Sequence, residues 1–362
     1  MPHSPTSSSS SSATASPTEM LDDTDDLWNK PLSPSKLKVQ IENISVPITS
    51  SSTSGSSTLP PSSLTSTPSL GTSDGNSSNS PSASGSTTFK LVRGELISKG
   101  TYDRVYLALN TSNGEMVAVK EVEIASNDNS QRQAMLIQAL KSETETLKDL
   151  DHPNIVQYLG FEETPSNLSI FLEYVPGGSI ANLLERCKLT EDTTKSFTGQ
   201  ILDGLEYLHS KNILHRDLRA DNILIEMNGI CKISGFSLSK RTGGGAASPM
   251  QGTVYWMAPE VIHPQGKLYT AKVDIWSLGC VALEMWTGVR PWNGEEVVAV
   301  MFKLWSSKLP PPVPEDIILS ELADDFRRKC FAINPDERPS AAELRKHEYL
   351  ELPTGWLFDG FT

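Results

Sequence analysis

Cysteine is scarce in this 362-residue chain, and its four copies, Cys187, Cys231, Cys280 and Cys330, form no C-x-x-C pair. That spacing excludes a zinc ribbon and a disulfide framework, and it fits a reducing, intracellular setting. No apolar run approaches the ~18 residues that a spanning helix needs, so no membrane partner is expected. The opening MPHSPTSSSS has neither a basic nor an apolar stretch of the secretory kind, and the expected location is cytoplasmic. Basic residues are also short. Against 44 Asp and Glu there are 31 Lys and Arg, a net charge of −13, which argues against nucleic acid as the main partner.

Apolar groups are sparse in the first quarter of the chain. Residues 1–88 are dominated by Ser, Thr, Pro and Gly and read as a disordered tail, because so little apolar surface cannot offset the entropy of ordering. Within it, Leu21 to Val46 sets Leu27, Trp28, Leu32, Leu37, Val39 and Ile41 among charges; this is either a docking segment or a less polar stretch of linker. Ser4, Ser16, Ser33, Thr67 and Ser80 each precede proline and can accept proline-directed phosphorylation. From Phe89 onward apolar residues recur with clear periodicity, over enough chain to bury a core in two lobes.

The folded part begins with extended signals. FKLVRGELIS, DRVYLALN and EMVAVKEV are separated by turn residues and predict three antiparallel strands. Gln131 to Leu150 predicts a helix, and IVQYLGFEE and LSIFLEYV two more strands. After PGGS the pattern becomes helical. Thr190 is a candidate N-cap with Glu191 and Asp192 in the first turn, followed by Phe197, Ile201, Leu205 and Leu208 on one face. Asn293 with Glu296 and Ser340 with Glu343 have the spacing of capping boxes.

Several motifs bear on phosphate chemistry. GELISKGTYDRVYLAL places a turn between two strands where backbone N–H groups can approach phosphates, but of a G-x-G-x-x-G pattern only Gly100 remains, with Ser98 and Asp103 at the outer positions. Lys120, ending VAVK, and Glu143 on the next helix can form the pair that orients α- and β-phosphates. HPNIVQY, FLEYVPGGS, HRDLRADNILI, GTVYWMAPEVI, DIWSLGC and NPDERPS follow in order.

Together these motifs resemble the eukaryotic protein kinase domain over Phe89 to about Leu350, and they look closest to fungal MAP kinase kinase kinases of the cell-wall-integrity type. The resemblance implies an α+β, two-lobed protein kinase fold: a small five-stranded antiparallel lobe with one helix (89–175), a larger mainly helical lobe (176–350), and an extension at 351–362. It implies ATP as cofactor and MAP kinase kinases or related kinases as substrate or binding partner. By position, Asp217 would be the catalytic base, Asn222 a magnesium ligand, Lys120 and Glu143 the phosphate-orienting pair, and Thr253 the mark of a serine/threonine kinase. Glu173 to Val175 would read adenine through backbone groups, with Leu172 as gatekeeper and Val105, Ala118 and Leu224 around the base. Leu147, Tyr158, His215 and Phe236 would stack between the lobes, Glu260 and Arg338 would pair inside the large lobe, and Asp274 would brace the catalytic loop.

The departures cluster where phosphates and metal would bind. Gly235-Phe236-Ser237 stands where the family has Asp-Phe-Gly, so only Asn222 remains as a metal ligand and Mg²⁺ is doubtful. Losing such a contact, worth roughly 4 to 5 kcal/mol of transition-state stabilisation, would slow transfer about a thousandfold or more. Ser237 replaces the glycine that lets this segment change conformation. Asp103 sets a carboxylate near the phosphates, at a cost on the order of 4 kcal/mol before screening, so ATP binding is expected to weaken; alternatively it reaches the metal and replaces the lost acid. Arg219 stands where serine/threonine kinases usually carry Lys, keeping the charge but not the geometry. Thr242, Ser248 and Thr253 are candidate phosphosites, with Arg216 able to receive a phosphate on the first two. The leading expectation is a pseudokinase that binds MAPK-cascade kinases; the alternative is a low-activity serine/threonine kinase acting on a MAP kinase kinase.

Overall fold

The computed structural model describes residues 41–47, 86–100, 103–124, 131–241, 252–263 and 270–360. The small lobe is built on strands β1 (Ile41–Pro47), β2 (Ser86–Lys99), β3 (Arg104–Asn110), β4 (Met116–Glu123), β5 (Tyr158–Glu163) and β6 (Asn167–Glu173), with helix α1 (Gln131–Leu147) between β4 and β5. The strands pair antiparallel in the order β1-β2-β3-β4-β6-β5. Side chains alternate across a strand, so the register sorts them into two faces. Val117 and Val119 of β4 join Leu91, Ala108 and Phe171 in one cluster. Val122, on the opposite face, joins Leu140, Leu168 and Ile170 beneath α1.

Five of these strands are the ones the periodicity predicts; β1 is an addition. It lies at the end of the candidate docking segment and pairs with the outer edge of β2, Ile44 opposite Phe89. Ile41–Pro47 and Ser86–Thr88, which begin β2, lie within the stretch 1–88 expected to be a disordered tail and are paired as strand. The physical reason is the edge itself: a strand with unpaired N–H and C=O groups accepts another extended segment whatever the composition between them. The rest of the docking segment and the Ser/Thr-Pro sites fall outside the described residues, as do Thr242 and Ser248.

The large lobe is organised by α3 (Glu191–Ser210) and α5 (Lys272–Thr287), with α2 (Ile180–Arg186), α4 (Pro259–Ile262), α6 (Val297–Phe302), α7 (Glu321–Cys330) and α8 (Ala341–Leu344) around them. Thr190 caps α3 by accepting from the Thr193 N–H, and Phe197, Ile201, Leu205 and Leu208 are fully buried, as the pattern predicts. Residues 273–285 of α5 are buried all round, which makes it the central helix of the lobe. Ser340 and Glu343 form the expected capping box. Asn293 does not. The chain turns at Trp292 (φ 58°) and Gly294 (φ 80°), Glu296 takes the N-cap position, and Asn293 belongs to the turn. Helix α1 ends at Leu147, three residues before the expected end, and Leu150 N–H closes a turn on the Leu147 carbonyl.

Short strands carry the segments between the lobes: β7 (Ile213–Leu214), β8 (Ile223–Ile225), β9 (Cys231–Ile233) and β10 (Lys240–Arg241). The hairpin β8–β9 is tied to the chain entering the small lobe, with Val156 N–H donating to the Ile233 carbonyl at 2.9 Å and Ile233 N–H to that of Asn154 at 2.9 Å. Leu147 and Phe236 share one buried cluster with Tyr158 packed against it, and the His215 ring meets Phe236 edge-on at 5.0 Å. Beyond residue 350, Phe358 returns to Phe197 with ring centres 5.7 Å apart.

Candidate functional site

The cleft face of the small lobe follows from strand register. Val105 pairs with Lys120, and Ala118 pairs with both Leu107 and Leu172, so Val105, Ala118, Lys120 and Leu172 share one face of the sheet. Directly after β6 the chain passes through Tyr174 and Val175, whose backbone N–H groups have no partner among the described residues. Glu173 is anchored there: its carboxylate accepts from the Gln157 N–H at 2.7 Å and pairs with Lys232 at 2.9 Å. Two to four residues beyond Val175, the chain is tied to β8 of the large lobe: Gly177 N–H donates to the Ile225 carbonyl, Ile225 N–H to that of Gly178, and Ser179 bridges to Leu224.

Lys120 and Glu143 meet as predicted, with Nζ 2.7 Å from Oε2 and 3.1 Å from Oε1, and both are buried. Two further groups reach the same ammonium. Ser237 Oγ accepts from it at 2.8 Å and donates to Glu143 Oε2 at 2.8 Å, while Asp103 Oδ2 lies 3.3 Å away as an ion pair. Burial alone would push the Lys120 pKa down, but the charges of Glu143 and Asp103 and their hydrogen bonds outweigh it, and the value stands above the ordinary one. Asp103 is held by Gly100, whose N–H donates to the Asp103 carbonyl at 2.9 Å; a Cβ on Gly100 would collide with the Asp103 carboxylate. Ser98 pairs across from Val105 at the end of β2, outside this cluster.

Ser237 in the lysine cluster is what reasoning from the sequence missed. A hydroxyl two residues after Gly235 signalled only lost flexibility; the helical turn at Phe236–Leu238, against α1, brings it to Glu143.

Below Lys120, the loop from His215 to Asn222 brings four predicted residues together. Asn222 Nδ2 donates to the Asp217 carbonyl at 2.7 Å and to its Oδ2 at 3.0 Å, and Thr253 Oγ1 donates to Asp217 Oδ1 at 3.1 Å. Arg219 donates to Thr253 Oγ1 at 3.2 Å and to Asp221 Oδ2 at 2.8 Å. Gly235 takes a left-handed conformation, φ 79° and ψ 47°, beside Asn222. A Cβ there would lie 2.5 Å from Asn222 Cγ and Oδ1 and 2.7 Å from Nδ2.

Asp274 holds the loop from beneath. Its carboxylate accepts from the His215 N–H at 3.0 Å and the Arg216 N–H at 2.8 Å, and His209 Nε2 lies 2.9 Å away. Arg216 can therefore keep its unusual φ of 66°. Burial pushes the Asp274 pKa up, but the His209 hydrogen bond and charge, the His215 charge and the Arg216 N–H hold it below the usual carboxylate value. Arg338 is fully buried and makes a two-pronged bond to Glu260, at 2.6 and 2.8 Å, as expected. Glu284 of α5, not singled out by its sequence context, accepts from Trp256 Nε1 at 2.7 Å and from the Ala220 N–H at 3.3 Å, joining α5 to the loop.

The sequence pattern of the protein kinase domain matches residues 91–350. The chain belongs to the protein kinase family. That family uses ATP and Mg²⁺. Among its members, this kinase-domain chain is 51% identical over 273 residues to the serine/threonine-protein kinase BCK1/SLK1/SSP31 of Saccharomyces cerevisiae, covering 73% of this chain and 18% of that protein. It is 48% identical over 274 residues to the MAP kinase kinase kinase mkh1 of Schizosaccharomyces pombe, covering 73% and 25%. To mitogen-activated protein kinase kinase kinase 2 of Arabidopsis thaliana it is 44% identical over 266 residues, covering 71% and 40%. The resemblance to fungal MAP kinase kinase kinases is thus borne out, over a stretch that is a quarter or less of the two fungal proteins' length. No helix among the described residues is long and apolar enough to cross a membrane.

Proposed function

We propose that this chain is a pseudokinase of the MAP kinase kinase kinase type, with phosphoryl transfer lost or strongly impaired, which works in a cytoplasmic setting by binding MAP kinase kinases or related kinases. The observation that carries this reading is the side chain of Asn222. The one metal-ligand position retained by the sequence is turned onto Asp217 and fills the space beside Gly235, so an acid has neither a residue to supply it nor room to sit. The residues present do not fit Mg²⁺. Mg²⁺ is usually held by one or two carboxylates together with substrate phosphates, and the position beside Asn222 is Gly235, which has no side-chain oxygen to give. Asp217, the expected base, has both carboxylate oxygens engaged by neutral donors, Asn222 and Thr253. Asp217, Arg219 and Thr253 in this reading keep the loop in shape rather than move a proton.

The second reading is a low-activity serine/threonine kinase that phosphorylates a MAP kinase kinase. The closed Lys120–Glu143 pair and the assembled Asp217, Arg219, Asn222 and Thr253 favour it, as do the names of the relatives. The discriminating measurement is the initial rate of γ-phosphate transfer from ATP to a MAP kinase kinase, in Mg²⁺ or Mn²⁺, for the parent chain and Asp217→Ala. The pseudokinase reading expects equal, background rates. Activity that disappears with Asp217 overturns it.

A further inference from the structure

Lys120 carries three ammonium hydrogens, and three side chains surround them: Glu143, Ser237 and Asp103. The cluster is buried at its centre and already carries one negative charge in excess, since two carboxylates meet one cation. A phosphate reaching Lys120 would have to displace Asp103 or lie against it, because Asp103 Oδ2 is 3.3 Å from the same nitrogen. Asp103 thus occupies the approach as a built-in anion, and the bond from the Gly100 N–H to its carbonyl helps hold it in place. The alternative role for Asp103, replacing the metal-binding acid, loses ground: its carboxylate is paired to Lys120.

Among the described residues no charged side chain of the sheet face stands at the other end, around Ala118 and Leu172. Val105, Ala118 and Leu172 share an apolar face of the sheet, Leu224 sits on the strand tied to the chain just after Val175, and the Val175 N–H, without a partner among the described residues, offers a donor to a flat, uncharged heterocycle.

We propose that the cleft binds adenine-type ligands without phosphates, nucleosides in preference to nucleotides, with Asp103 as the residue that sets the preference. The inference rests on the reading of this chain as a kinase fold without transfer chemistry, since a nucleoside has no phosphate to give.

The experiment is isothermal titration of the full chain and of Asp103→Asn with adenosine and with ATP, each with and without Mg²⁺. For the parent chain, adenosine should bind at least tenfold more tightly than ATP. Asp103→Asn keeps shape and removes charge; it should tighten ATP tenfold or more and leave adenosine within twofold. The proposal is overturned if ATP binds the parent as tightly as adenosine, if the substitution shifts both ligands alike, or if adenosine binds neither chain. Its failure is separable from that of the pseudokinase reading: tight ATP binding with background transfer sinks only the ligand preference, whereas Asp217-dependent transfer with that preference intact sinks only the pseudokinase reading.

Discussion

Gly235→Asp would give back the acid that the family carries, and the structure indicates that the change costs stability before it restores anything. At φ 79° and ψ 47° a residue with a side chain pays about 1 to 2 kcal/mol, with Asp among those that tolerate it best. Its Cβ would lie 2.5 Å from Asn222 Cγ, so the amide must leave its place. Leaving breaks two hydrogen bonds to Asp217, worth about 1 kcal/mol each. The sum is about 3 kcal/mol. At about 2 to 4 °C per kcal/mol for a domain of this size, the melting temperature should fall by about 6 to 12 °C without nucleotide or metal. Asn222→Ala removes the amide in advance, so Gly235→Asp should cost less in that background, with a coupling of about 1 to 2 kcal/mol. Thermal unfolding of the four chains, followed by circular dichroism, measures it. A Gly235→Asp chain as stable as its parent, or two changes additive to within about 0.5 kcal/mol, would refute the packing argument.

Two further outcomes follow from buried charges in the large lobe. Glu284 is pushed up to about 8 by burial, against the pull of its bonds from Trp256 and Ala220. A raised folded pKa means that this group's stability is complete below the unfolded value, near 4.5, and is lost as pH rises through about 8. The parent should lose about 2 to 3 kcal/mol from this group between pH 6 and pH 9, and urea unfolding of Glu284→Gln should show that slope removed; an unchanged slope would contradict the assignment. Glu260→Gln leaves the buried Arg338 guanidinium without its counter-charge and should cost about 3 to 5 kcal/mol, whereas a loss under 1 kcal/mol, read from the same urea curves, would mean that the carbonyls of Ala332, Lys272 and Ile333 suffice to hold Arg338.

Much of the molecule was legible before any coordinates. Alternation in EMVAVKEV put Ala118 and Lys120 on one face, Thr190 and Ser340 announced their helix starts, and the ordered motifs pointed to the family, because each of these signals is local in the chain or rests on strong chemical preference. Cysteine spacing suggested neither a zinc site nor a disulfide framework. Other features depended on residues distant in sequence meeting in space. Ile41–Pro47 became a strand only because β2 left an edge to fill, which no pattern within a Ser-rich tail reveals. Asn293 has the right spacing to cap α6 and still does not, since the turn at Trp292 and Gly294 sets where the helix begins. At the site, the absence of one acid is written at Gly235, but that Asn222 lies against that position, that Ser237 bonds to Glu143, and that Asp103 reaches Lys120 are decided by tertiary packing. The cleft's charge balance is a matter of a few ångströms between side chains up to 134 positions apart in the chain, from Asp103 to Ser237, and spacing along a sequence carries no record of that.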